Sequence, residues 1–233
     1  MRRLQLLLGM SLALLVSACG NAAPSAAPQP DLRIGLSPAA GALRPALLAC
    51  IHADAADQFS IESTLPGNAD LADYAVLIQL DQGGSLPTFA VQLGSQRLVA
   101  IVNAANNLRQ LSREQLAAVF SGRITDWAEL DGPAGPIEVW IPLDGDEARD
   151  IFRAEVLLGS EYRGDAHLAA DTASMQAATA GDSGAIGLLP ASLVTEALRG
   201  IETGVEAPVL ALATDTPDDA LQATLACLQA RED

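Results

Sequence analysis

From Asp31 onward, short apolar runs alternate with segments of helical periodicity, and this limits the chain to α/β architectures in which helices separate the strands. Leu32–Leu36, Phe59–Glu62, Tyr74–Leu80, Arg97–Val102, Ile137–Ile141 and Ala185–Leu189 read as strands. Ser37-Pro38 follows the first as an N-cap with proline at the first helical position, and Leu43, Leu47, Leu48 and Ile51 continue a helical stripe to His52. Ser112 opens a further helix, with Leu116, Val119 and Phe120 on one face and Gly122 as its stop. Asp146–Leu158, Thr172–Ala180, Ser192–Leu198 and Pro217–Ala230 complete the expected helices. Strands spaced by helices predict largely parallel sheets.

The first thirty residues carry an address. Arg2-Arg3 is a positive start, and Leu4 to Val16 is an apolar stretch of 13 residues. A membrane span needs about 20 residues, so this stretch reads as an export signal. Val16-Ser17-Ala18-Cys19 then resembles a bacterial lipobox. That resemblance implies removal of residues 1–18 and diacylation of the Cys19 thiol. Two acyl chains hold a protein on a membrane where one does not, so the partner implied is membrane lipid, reached from the extracytoplasmic side. A plain signal peptide or membrane anchor with an incidental cysteine is the other reading. Residues 20–30 (GNAAPSAAPQP) are uncharged and aperiodic with three prolines, a tether rather than part of the fold.

Charge excludes one class of partner. All 13 basic residues are arginine, against 29 acidic ones, and residues 19–233 carry a net charge of −18. No basic cluster offsets that field, and eight aromatic residues offer little for base stacking; nucleic acid is therefore not a partner. Half the residues are hydrophobic, enough to build a core in one large domain or two lobes. Setting Cys19 aside leaves Cys50 and Cys227, in the similar contexts Leu-Ala-Cys-Ile and Leu-Ala-Cys-Leu. An exported chain permits a disulfide between them; two small buried hydrophobic side chains are the alternative.

Three segments make a family resemblance specific. Leu111 to Trp127 (LSREQLAAVFSGRITDW) resembles the LS-x-x-Q-L-x-x-I-F-x-G-x-I-x-x-W signature of phosphate-type extracytoplasmic solute-binding proteins, which have the type 2 periplasmic-binding fold. Gly184-Ala185-Ile186-Gly187 is similar to the strand by which that family returns from its second lobe, and the first strand runs into a Ser-capped helix as theirs does. The resemblance spans about residues 31–230. It implies two α/β lobes joined by two crossover strands around a cleft, here Arg97–Asn103 and Ala185–Pro190. Lobe one would hold residues 31–100 plus 188–233, and lobe two residues 101–187. It further implies a small molecule or ion in the interlobe cleft and an ABC permease as partner, with no enzymatic activity and no cofactor.

The ligand loop departs from that family. Where relatives read R-x-x-G-S-G-T-R, this chain has Pro142-Leu143-Asp144-Gly145-Asp146-Glu147-Ala148-Arg149, with Phe152 downstream. Carboxylates standing where an oxyanion should lie repel it strongly once desolvated, which argues against phosphate. One reading makes Asp146 or Asp144 the helix cap and Glu147 a complement to the helix's positive end, so that the protein's own carboxylate fills the vacated anion site. The other is a cleft for a cationic or polyhydroxylic ligand. Asp144, Gly145, Asp146 and Asp150 also suggest a divalent-metal loop, but full calcium-loop spacing is missing and no metal is expected. The candidate ligand residues are Ser37, Asp73, Asp144, Asp146, Glu147 and Arg149, with ordinary capping as the alternative for Ser37 and an exposed strand start for Asp73.

Gly181-Asp182-Ser183-Gly184 resembles the nucleophile motif of trypsin-like proteases, with His52 upstream. It continues Ala-Ile rather than Gly-Pro, and helical periodicity contradicts an all-β barrel. Neither His52 nor His167 has a partner at zinc-ligand spacing. Trp127 and Trp140 read as core or interface residues.

Overall fold

A computed structural model describes residues 32–51 and 56–232. The leader, Cys19, the tether and His52 lie outside the described residues. No helix among those described is long and apolar enough to cross a membrane.

Eight strands form one sheet, in the order β2-β1-β3-β8-β4-β7-β5-β6. They are β1 (Leu32–Leu36), β2 (Phe59–Ser63), β3 (Val76–Leu80), β4 (Phe89–Asn103), β5 (Glu138–Pro142), β6 (His167–Ala169), β7 (Ala185–Pro190) and β8 (Leu198–Ala213). Among the described residues, five α-helices cover it: α1 (Arg44–Cys50), α2 (Arg113–Phe120), α3 (Glu147–Glu155), α4 (Thr172–Gly181) and α5 (Asp219–Glu232). Pairing is parallel towards the two ends, among β2, β1 and β3 and among β7, β5 and β6. The centre, β3-β8-β4-β7, is antiparallel. The expectation of largely parallel sheets is thus corrected to a mixed sheet.

Two long strands produce that centre. β4 and β8 pair with each other from Phe89↔Ala213 to Asn103↔Leu198, so both run from one lobe into the other. The C-terminal part of β8 pairs with β3 in the first lobe, and the C-terminal part of β4 pairs with β7 in the second. The expected crossover at Arg97–Asn103 is therefore the second half of a longer strand. Its companion is β8, while Ala185–Pro190 lies between β4 and β5 on the second-lobe side. The register slips twice, at Gln92/Gly94 and at Leu98/Val99, where Thr203 and Gly204 of β8 form an extra step.

Three helix expectations change as well. Ser37 does not cap an α-helix: a 3₁₀ turn at Gly41–Leu43 comes first, and α1 starts at Arg44 with Pro45 in its first turn. Gly41 is a poor helix former, whereas Pro45 has the φ that a first turn needs. Residues 192–198 form no α-helix. A 3₁₀ turn ends at Leu193, and Leu198 is taken into β8. The third helix stops at Glu155, and Leu158 and Gly159 take positive φ values of 51° and 80° beyond it. The Ser112 start holds: its hydroxyl and the Gln115 side chain form a reciprocal capping box.

One apolar cluster runs through both lobes, from Ile34, Leu47 and Ile78 by way of Leu188 to Phe120, Trp127 and Phe152. Cys50 and Cys227 are disulfide-bonded, joining α1 to α5 beneath the first lobe.

Candidate functional site

The turn after β1 and the start of α3 meet across the two lobes. Asp146 is the N-cap of α3: its Oδ1 accepts from the Ala148 N–H at 2.9 Å. This satisfies one of the four donors a helix start leaves open. Glu147, the first residue of the helix, is fully buried. Its Oε1 accepts from the Ser37 hydroxyl, and from the Leu80 N–H at 3.2 Å. Ser37 in turn accepts from the Ala40 N–H at 3.1 Å, closing a Ser-type turn. Oε2 of Glu147 is buried without a hydrogen-bond partner.

A second contact lies beside the first. The Gly67 N–H donates to the Gly145 carbonyl at 3.0 Å. The backbones come so close that a Cβ on Gly67 would stand 2.5 Å from the Gly145 Cα. Gly145 itself has φ of +86°, which glycine adopts without strain.

Between these contacts runs a narrow cleft lined by Pro38, Ala39, Leu65, Asp146, Ala148, Asp171, Thr172, Met175 and Leu188–Pro190, among others. Its free volume is about 20 Å³, room for about one water molecule. Asp171 caps α4 by accepting from the Ser174 N–H at 2.7 Å. Both helix starts that face the cleft are therefore capped by their own aspartates.

Burial sets the electrostatics. Desolvation pushes the Glu147 carboxyl up to about 7; the Asp146 charge adds to the rise, and the donors from Ser37, its own backbone and Leu80 oppose it. Desolvation likewise raises Asp146 to about 6, against the N–H groups of Ala148 and Arg149. Asp171 lies on the exposed side and moves the other way, held low by Ser174 and nearby N–H groups.

Ser37, Asp146 and Glu147 thus come together. Asp73, Asp144 and Arg149 do not join them. Asp73 ends an exposed 3₁₀ turn, and its carbonyl accepts from Arg33. The Asp144 side chain is 93% exposed and pairs with Arg149 at 2.8 Å. Arg149 also donates to the Pro142 carbonyl and sits over the Tyr162 ring. The Leu80 N–H and the Gly67–Gly145 contact were not visible in sequence, since backbone groups carry no side-chain signature. Asp171, a capping aspartate directly before a helix, carries a signal that the sequence does show.

Trp127 is buried, with its Nε1 donating to the Gly184 carbonyl at 3.0 Å, and Trp140 stacks on His167. Among the described residues no group of three His, Cys, Asp or Glu side chains is placed to hold a metal ion.

A family model described as "PBP superfamily domain" matches residues 75–226. No curated protein matches the chain. Among solved structures, one described as a phosphate ABC transporter substrate-binding protein with bound phosphate, from Clostridium perfringens, is similar at a TM-score of 0.73 and 19% identity, covering 84% of this chain and 92% of that one. An ABC-type phosphate transport receptor from Vibrio cholerae is similar at a TM-score of 0.65 and 16% identity, covering 85% and 93%. The CcmR regulatory domain of Synechocystis PCC6803, in complex with 2-PG, is similar at 0.61 and 18%, covering 87% and 97%. At these identities the likeness is one of fold.

Proposed function

The chain belongs to the PBP superfamily, and from that premise we propose that it is an extracytoplasmic solute-binding lipoprotein, tethered by acylated Cys19, that serves as the substrate receptor of an ABC-type importer for a solute other than phosphate. Its role is binding rather than catalysis. The lobes keep the boundaries that the resemblance implies, about residues 31–100 plus 188–233 and 101–187, adjusted so that β4 and β8 are the shared strands.

The observation that carries the ligand assignment is Glu147. Its carboxyl takes the Ser37 hydroxyl and the Leu80 N–H, and Asp146 takes the Ala148 N–H in the first turn of α3. An incoming oxyanion finds these donors already used and meets two buried carboxyl groups. Both phosphate-linked neighbours share the fold, but here the Ala148 N–H, one of the donors that such a helix start offers an anion, is taken by the Asp146 carboxyl.

A thermal-shift titration tests this reading. Phosphate from micromolar to millimolar concentration should leave the unfolding temperature unchanged, and a clear rise at micromolar phosphate overturns the assignment. The variant Asp146→Ser, Glu147→Gly, Ala148→Thr restores the donor loop of the resembled family and should gain measurable phosphate stabilisation, limited by the arginine position still held by Pro142.

A second reading is favoured by the cleft volume of about 20 Å³: a binding fold that has left transport and acts as a sensor or structural lipoprotein. The CcmR regulatory domain has the same fold outside a transport receptor. Stimulation of a reconstituted permease ATPase by the protein separates the two, since only the receptor gives it.

A further inference from the structure

We propose that Glu147 is a proton-operated latch between the lobes, holding the cleft shut when protonated and releasing it as its proton is lost. The geometry sets the device. Glu147 belongs to the second lobe through α3, and both of its hydrogen-bond partners, Ser37 and Leu80, belong to the first. With Oε1 accepting from both, Oε2 is the buried oxygen left without a partner. An ionised carboxylate there leaves charge at an unsolvated atom, and a carboxylic acid removes it.

Of the charged groups around it, Asp146 adds to that bias. On its own helix stand Asp146, buried beside it, then Arg149, Asp150 and Arg153. The preceding loop brings Asp144, whose carboxylate is spent on Arg149. Strands β3, β5 and β7 pack on α3. β3 and β7 present no ionisable side chain, although Asp81 follows β3, and β5 presents Glu138, which pairs with His167. The start of α4 brings Asp171 to the same cleft. Among the described residues no cation bonds to Glu147, so its neutral form is the one the closed cleft favours.

The sign follows from linkage. In an opened cleft Glu147 meets water and its pKa falls back towards the ordinary glutamate range, whereas burial in the closed cleft raises it to about 7. Closure therefore takes up a proton between these limits. The closed form is fully favoured below the ordinary range, and it loses ground to the open form as pH rises through the window. The closed-to-open ratio should fall by up to about tenfold per pH unit there. Solute capture needs the open form, so a mildly acidic exterior would keep the empty protein shut.

The test reads lobe separation directly. Fluorophores carried on non-natural amino acids at Leu48 of α1 and Leu168 of β6, which are 58% and 55% exposed, report the interlobe distance in the full chain by energy transfer. Between pH 5 and pH 8 the distance in the wild type should lengthen, while Glu147→Gln, isosteric and always neutral, should stay short throughout. Circular dichroism at each pH confirms that both remain folded. A wild-type distance that does not change with pH overturns the latch, and so does a Glu147→Gln variant that lengthens in parallel. The readout involves neither solute nor permease, so it stands or falls apart from the transport reading.

Discussion

Glu147 is both the most buried ionisable group of the site and the least compensated. Replacing it by glutamine removes the cost of ionising it inside the fold. The folded pKa is raised to about 7, so the wild type loses stability as pH rises from the unfolded value near 4.3 through 7. Glu147→Gln should therefore be more stable than the wild type by about 1–3 kcal/mol at pH 8, with the gap closing towards pH 5, as measured by urea unfolding. A gap of equal size at both pH values would assign the effect to packing instead. The cap that Asp146 makes was legible from Asp-Glu-Ala-Arg before an apolar helix face, because capping is settled within three residues. What Glu147 reaches was not legible: Ser37 lies 110 positions away, and only the fold brings it near. The pairing of Arg149 with Asp144, five residues earlier, is local and of the kind that sequence spacing allows.

At the level of elements, apolar runs gave β3 and β7 close to their true bounds, since a strand buried on both faces needs nothing else. β8 carries a clear alternation, with Ile201, Thr203, Val205, Ala207 and Val209 buried and Glu202, Gly204 and Glu206 exposed. Two glycines and Pro208 inside it masked the period, and the strand went unread. β6 is three residues long, too short for any pattern. The two loops that touch across the lobes make a prediction of their own. Gly67→Ala places a methyl group against the Gly145 backbone at 2.5 Å, and neither partner is a side chain that can swing away. The variant should lengthen the interlobe distance at every pH and cost about 1–3 kcal/mol in unfolding. An unchanged distance would mean that the loops shift within one lobe instead.

For the whole molecule, the resemblance carried by residues 111–127 pointed to two lobes and a cleft, and the PBP superfamily match agrees. Composition could not show that the cleft is nearly full, because filling depends on a few side chains converging. The Cys50–Cys227 bond spans 177 positions of sequence, so it restricts the unfolded chain strongly. Reduction should lower the unfolding free energy by about 2–5 kcal/mol, measured by urea titration with and without reductant. Both cysteines stand on helices of the first lobe, so the same reduction should leave the interlobe distance and its pH dependence as they were. A change in that distance would show that the first lobe's own packing controls the cleft.

The paired strands β4 and β8 also decide how any opening feels mechanically. Two lobes strung on slack loops would swing freely and drift apart for as long as diffusion allowed. Here the connection is a hydrogen-bonded ribbon, stepped at Thr203 and Gly204, with the Thr203 hydroxyl donating to the Leu98 carbonyl at 2.5 Å. Such a ribbon acts as a leaf spring. Bending it costs energy that grows with the angle, so the jaws part along one path instead of drifting.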